Sequence, residues 1–299
     1  MRKKVLWIIM VSALVFTLCA CGKDKPQESA DAGLKIVGTV FPYCDFAENI
    51  APHAAVSQLL PAGADSHSYE PTAADIAMVQ SCDLFLRTGG EGEEWVDTIL
   101  DAIDGEVKVL SLSECVSLYQ HEDGDWDEHI WTSPENAKLI CAEIAAAAEE
   151  IDTENASEYA ANAEKYIAEL DEISSEIKTA VDASAKRPLL FGDRFPFVYL
   201  ARDYGIEYLA AFPGCGEETE PDAKTLASIA EKAKELEDPV ILHIELSSEK
   251  VAKTLADETG AEILQLHSCH NLTKEERDGG ATYLSLMKDN IEVLKVALG

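Results

Sequence analysis

The sequence predicts an α/β protein of two parallel-sheet lobes joined by one long α-helix. Two observations carry that expectation. Short strand-like runs alternate with helical segments in both halves, and a helical stretch of about thirty residues without Gly or Pro separates the halves. The first-half strands are expected at 35–40, 55–60, 84–87 and 107–112, the second-half strands at 189–191, 207–211, 240–245 and 262–266. Such alternation calls for parallel strands covered by helices on both faces. In the linker, Tyr159, Ala163, Tyr166, Leu170, Ile173, Ile177 and Ala180 recur at spacings of four and three, one face of a helix. A rod of that length spans two lobes and permits little hinge closure. The organisation expected is residues 34–153 as N-terminal lobe, 154–186 as connecting helix and 187–299 as C-terminal lobe. The halves share a rhythm and no sequence repeat.

The chain opens with Arg2, Lys3 and Lys4, then an apolar run too short to span a bilayer. The run ends in Leu18-Cys19-Ala20-Cys21-Gly22, which resembles a bacterial lipobox. Residues 1–20 are therefore expected to be a lipoprotein signal peptide, Cys21 the lipidated mature N-terminus and 21–33 a polar tether. The mature protein is expected on the extracytoplasmic face of the cell membrane, held by its lipid.

Net charge is −32 and becomes more negative when the three basic residues of the signal leave. A chain this acidic repels phosphate backbones, which excludes nucleic acid as a partner class. Of the eight cysteines, none forms a CxxC pair, so no zinc ribbon is present. Cys82 and Cys141 fall among apolar helical residues and read as core. Cys44, Cys215 and Cys269 lie at strand exits. A disulfide between two of them is compatible with an oxidising compartment, and the sequence does not choose the pair.

Two histidines occupy the same setting. His67 lies in 61–72 (PAGADSHSYEPT) and His129 in 127–136 (DEHIWTSPEN), each in a polar loop shortly before a helix start. Thr72 with Asp75 reads as a capping box, and Ser133 with Pro134 as N-cap and N1. Loops that leave strands and enter helices form the ligand crevice of an open α/β fold. Two imidazoles there point to a metal site.

Together, the lipobox, the two lobes, the connecting helix and the HxYEP-like and EHIWxSP-like loops resemble the metal-binding, solute-binding lipoproteins of ABC importers, the zinc and manganese receptors of the TroA-like cluster. Thr39-Val40-Phe41-Pro42 and Tyr199-Leu200-Ala201-Arg202-Asp203-Tyr204-Gly205 match further family segments. The resemblance covers nearly the whole mature chain. It implies an extracytoplasmic receptor, not an enzyme, that binds Zn²⁺ in the interlobe cleft and delivers it to an ABC permease subunit, with His67 and His129 as the first two ligands.

The chain departs from the family at the other ligands. Gly192 stands where the family has a His or Glu, and His267 stands where it has a late Asp. The expected set is His67, His129 and His267, with Asp193, Glu245, His270 or water as fourth group and Cys269 as a further candidate. Three imidazoles and one oxygen suit tetrahedral Zn²⁺, whereas Mn²⁺ favours more oxygen ligands. His53 and His243 read as structural. The loop 121–128 (HEDGDWDE) is a short acidic segment with one histidine and lacks the EF-hand pattern. Alternatives are a manganese receptor of the same family or a surface adhesin. A secreted zinc hydrolase is less favoured, because no HExxH occurs and His243-Ile244-Glu245 has no following PCxxC.

Overall fold

A computed structural model describes residues 33–121, 124–185, 187–212 and 221–299. The signal segment, Cys21, nearly all of the tether, Cys215 and two residues of the acidic loop lie outside the described residues.

The first lobe holds β1 (Lys35–Gly38), α1 (Phe41–Ile50), β2 (Ala55–Gln58), α2 (Ala73–Gln80), β3 (Leu84–Arg87), α3 (Glu94–Ala102) and β4 (Lys108–Ser111). Two helices follow, α4 (Pro134–Ile151) and the long α5 (Ala156–Ala183). The second lobe holds β5 (Leu189–Phe191), α6 (Val198–Tyr204), β6 (Tyr208–Ala210), α7 (Ala223–Glu235), β7 (Val240–His243), α8 (Lys250–Thr259), β8 (Glu262–Gln265), α9 (Lys274–Asp278) and α10 (Tyr283–Leu298). The sheets run β2-β1-β3-β4 and β6-β5-β7-β8, with every pairing parallel.

Side chains alternate between two cores, as the pleat requires. Ile36, Leu84, Leu86, Leu189, Phe191, Val240 and Leu242 face a central core that also takes in α1, α4, α5 and α10. Val37 and Phe85 face a smaller core under α2 and α3, and Leu190 and Ile241 another under α7 and α8. One continuous core thus runs through both lobes. The α5 helix has 28 residues, about 42 Å at 1.5 Å per residue, and all seven positions of its predicted apolar face are buried. Among the described residues no helix is long and apolar enough to cross a membrane.

Helix starts follow local chemistry. Thr72 and Asp75 form the capping box that opens α2, and Ser133 Oγ accepts from the Glu135 N–H with Pro134 at the first helical position of α4. Gly205 closes α6 with φ +66°, a left-handed position that glycine takes without strain. Of the cysteines in question, Cys44 and Cys269 are free thiols.

One charged group is built into the central core. Asp45 of α1 is buried and accepts from the Tyr166 hydroxyl of α5 at 2.8 Å. Burial raises its pKa from 3.8 to about 6 against the opposing hydrogen bond of Tyr166. The folded protein therefore holds this proton to higher pH than the unfolded chain does. The associated stability is present below about pH 4 and is lost as pH rises through about 6. Tyr166→Phe removes the hydrogen bond that favours the carboxylate. It is expected to cost about 1–3 kcal/mol at pH 7.5 and clearly less at pH 4.5, where Asp45 is protonated. Urea unfolding at the two pH values reads the difference, and equal losses would contradict it.

Candidate metal centre

The loops at the carboxyl ends of the strands meet in one crevice between the lobes. His67 sits in a 3-10 turn (Ser66–Ser68) after β2, and His129 lies directly before a second (Ile130–Thr132) after β4. His270 follows β8. Their three rings form a triangle with centre-to-centre distances of 6.0 Å (His67–His129), 6.4 Å (His67–His270) and 6.3 Å (His129–His270). Trp131 stacks on His270 at 5.7 Å and 13°.

The same local device presents each ring. A polar side chain two residues earlier accepts the histidine's own backbone N–H: Asp65 Oδ1 for His67 at 3.0 Å, Asp127 Oδ1 for His129 at 2.9 Å and Ser268 Oγ for His270 at 3.2 Å. These are Asx- and Ser-type turns, which hold a tight bend without glycine. Asp127 Oδ1 also lies 3.1 Å from His129 Nδ1, and its Oδ2 lies 3.3 Å from His121 Nε2. A carboxylate on Nδ1 fixes the orientation of the ring. His121 is thereby turned inward onto Asp127.

The electrostatics suit a cation. Burial, then the neighbouring His129, pushes the His67 imidazole down to about 4. The same two causes, burial first, push His270 down. Both rings are neutral at pH 7, with lone pairs to offer. Burial alone would raise Asp127, but the charge of His129 and the hydrogen bonds of His121 and His129 hold it well below the usual carboxylate range. Burial lifts Glu128, next to His129, to about 7.

His267 stands elsewhere. Its ring lies between Glu245 (Nδ1 to Oε1, 3.5 Å) and Glu276 (Nε2 to Oε1, 3.4 Å). Its Nδ1 accepts from the Cys269 N–H at 2.9 Å, and its backbone N–H and C=O both bond the Asn290 amide of α10. The buried Cys269 takes φ +60°, and that left-handed residue separates the two imidazoles of the pair. The fourth-ligand candidates are also tied. Asp193 accepts from the N–H groups of Arg194 (2.8 Å) and Ile244 (3.2 Å). Glu245 accepts from Ser268 N–H (2.7 Å), Ser268 O–H (2.5 Å) and His270 N–H (3.2 Å). Arg194 pairs with Asp65 at 3.2 Å.

Gly192 does not face the crevice. A Cβ there would lie 2.4 Å from Ala252 Cα and 2.7 Å from Ala252 N. The residue is a close-approach glycine between β5 and α8, and a ligand side chain at this position would run into helix backbone. His243 bonds its neighbour's carbonyl, and His53 is exposed beside Glu158.

Three imidazoles around tetrahedral zinc, each nitrogen about 2.0–2.1 Å from the ion, have ring centres roughly 5 Å apart. The triangle here is about 1 Å wider. Accordingly, among the described residues no three His, Cys, Asp or Glu side chains stand close enough to grip an ion without moving. Small side-chain rotations close that gap.

Beyond the site geometry, the family described as ZnuA, zinc-uptake complex component A periplasmic, matches residues 36–297. The chain belongs to this family. The high-affinity zinc uptake system protein ZnuA of Bacillus subtilis is 31% identical over 317 residues, 100% of this chain and 99% of that one. The zinc-binding lipoprotein AdcA of Streptococcus pneumoniae is 29% identical over 96% of this chain, which spans only 60% of AdcA. The crystal structure of the Zn(II)-bound ZnuA-like domain of that AdcA superposes with TM-score 0.76 at 28% identity, covering 89% of this chain and 98% of the domain. Family membership makes the protein a component of zinc uptake that acts outside the cytoplasm, a receptor and not an enzyme.

Sequence reading missed the orienting role of Asp127, the stacking of Trp131 and the Arg194–Asp65 pair. Only the first had a local signal, the Asp-x-His spacing. Asp127→Asn keeps the shape and weakens the grip on His129 Nδ1. It is expected to reduce zinc affinity about ten- to a hundredfold with little change in the melting temperature of the metal-free protein. Unchanged affinity by competition titration would contradict the orienting role.

Proposed function

We propose that the protein captures Zn²⁺ between its lobes with imidazole nitrogens of His67, His129 and His270, and passes it to an ABC permease while tethered to the membrane by lipid at Cys21. The single observation that supports this reading most is the triangle of three imidazoles, His129 buried and His67 and His270 half-buried, at the strand exits of a zinc-uptake family chain. In this reading His270 replaces His267 as third ligand. His267, Asp193 and Glu245 brace the loops that carry the ligands, and residues 34–153 and 187–299 act as the two halves of the receptor. The names of both relatives agree in metal, and the name of AdcA, a zinc-binding lipoprotein, supports the attachment.

Stripped of metal, the soluble protein is expected to bind zinc with Kd below about 1 μM. His270→Ala should weaken binding at least about a hundredfold, because a metal bond is lost. His267→Ala should change affinity much less, and His53→Ala not at all. Isothermal titration with a competing chelator ranks the three, and a larger loss for His267→Ala than for His270→Ala would reverse the ligand assignment.

Metal choice follows from the donors. Imidazole is a borderline-soft ligand and the Irving–Williams order places Zn²⁺ above Mn²⁺ on it. Zinc is expected to outcompete manganese by at least about a hundredfold, roughly 2.7 kcal/mol. A manganese preference in direct competition would overturn both the metal and the donor set.

A further inference from the structure

We infer that Glu128 supplies the oxygen donor that completes the three-histidine site, through an opening toward His67 that the missing side chain of Gly92 leaves. This inference rests on the zinc-receptor reading and names its fourth ligand.

Most carboxylates of the crevice are occupied. Asp193 and Glu245 accept backbone N–H groups of the strand-exit loops. Asp65 holds the His67 N–H and Arg194, and Asp127 holds His129 and His121. Glu93 is buried; its Oε2 accepts from Thr88 N–H and Gly89 N–H at 2.8 and 3.0 Å, and its Oε1 is buried without a partner among the described residues. Glu128 differs in being half-buried and in bordering the His67 ring. Its Oε1 accepts the Gly92 N–H at 2.5 Å, and its Oε2 takes no hydrogen bond from any described residue.

Gly92 shows where that oxygen sits. A Cβ built on Gly92 would strike Glu128 Oε2 on one side and His67 Cε1 and Nδ1 on the other, the two ring atoms at 2.9 Å. The carboxylate and the His67 ring thus border the same gap, and any larger residue at 92 would fill it. Glu128 also adjoins His129 in the chain, so its loop already carries one imidazole of the triangle. His129, Glu93 and Asp127 lie within electrostatic reach of it, and no Lys or Arg among the described residues bonds its carboxylate. A divalent cation at the triangle is the counter-charge this carboxylate lacks. One carboxylate oxygen with three imidazole nitrogens makes a four-coordinate N₃O set suited to zinc.

Full-length protein, stripped of metal, provides the test. Zinc affinity and the visible absorption of the cobalt-substituted protein are measured for wild type, Glu128→Gln, Glu128→Asp and Gly92→Ala. Glu128→Gln is expected to lose at least about tenfold in zinc affinity, the scale of a strong ligand-sphere loss. The four-coordinate cobalt bands should change, and the melting temperature of the metal-free protein should not fall. Glu128→Asp should recover part of the affinity, and Gly92→Ala should reproduce the loss by filling the gap. Glu128→Gln within about threefold of wild type, with unchanged cobalt bands, overturns the assignment. So does a loss matched by an equal destabilisation of the metal-free protein, which marks a purely structural role. Failure of wild type to bind zinc, or of His270→Ala to weaken it, removes the three-histidine site itself and is recognised without the Glu128 variants.

Discussion

A buried strand-exit loop must satisfy its backbone N–H groups without water, and in this protein carboxylates do most of that work. Glu93 takes the amides after β3, Asp65 one after β2, Asp127 one after β4, Asp193 one after β7, and Glu245 two after β8. An unpartnered buried amide costs about 1–3 kcal/mol, and bonds from amides to ionised acceptors are the stronger kind. The crevice is therefore acidic for structural reasons. Its carboxylates are largely consumed by those amides, with one oxygen of Glu128 left over beside the imidazoles. That division between anionic scaffold and neutral ligands explains how one cleft can be attractive to a divalent cation and still be well ordered.

The same constraint gives His267 and His270 different surroundings. Glu245 gathers Ser268 and His270 by their N–H groups, Asn290 clamps both ends of the His267 peptide, and the Asn271 side chain reaches the Pro61 and Ala64 carbonyls of the loop that bears His67. With Cys269 in the left-handed region, the chain sets one imidazole against Trp131 and the other between two glutamates. Each residue of His267-Ser268-Cys269-His270-Asn271 thus has a separate task, and only one of them is to face the crevice.

How much of this was legible follows the range of the interactions. Strand and helix order, the seven buried positions of the long helix, the Thr72–Asp75 box and the Ser133–Pro134 start depend on neighbours within a few residues, and the sequence displays them. The shared setting of His67 and His129 is local too, through the Asp-x-His turns. The different surroundings of His267 and His270 depend on Glu245 and Asn290, both more than twenty residues from His267, and no spacing rule carries that. The direction of Gly192 depends on Ala252, a contact between the end of β5 and a helix five elements later. A glycine at an aligned ligand position looks like a lost ligand, whereas the fold uses it for close approach.

The way the lobes are joined bears on how an ion is held and let go. Across the cleft, Gly63 N–H bonds the Leu272 carbonyl at 2.9 Å, Trp131 Nε1–H the Ser268 carbonyl at 2.9 Å, Tyr199 O–H the Asp127 carbonyl at 2.5 Å and Ser133 O–H the Asp203 carboxylate at 2.5 Å. The central core continues unbroken beneath them. A wide hinge motion would break several of these bonds at once, each contributing about 0.5–1.5 kcal/mol, and would expose core surface at about 25 cal/mol per Å². Drawing three rings inward by roughly half an ångström each is a motion on the scale of side-chain rotations. With the proposed ligands, the lower-cost route to gripping and releasing zinc is therefore local. It runs through the turns that hold His67, His129 and His270, with the lobes and the long helix as the fixed frame against which those turns move.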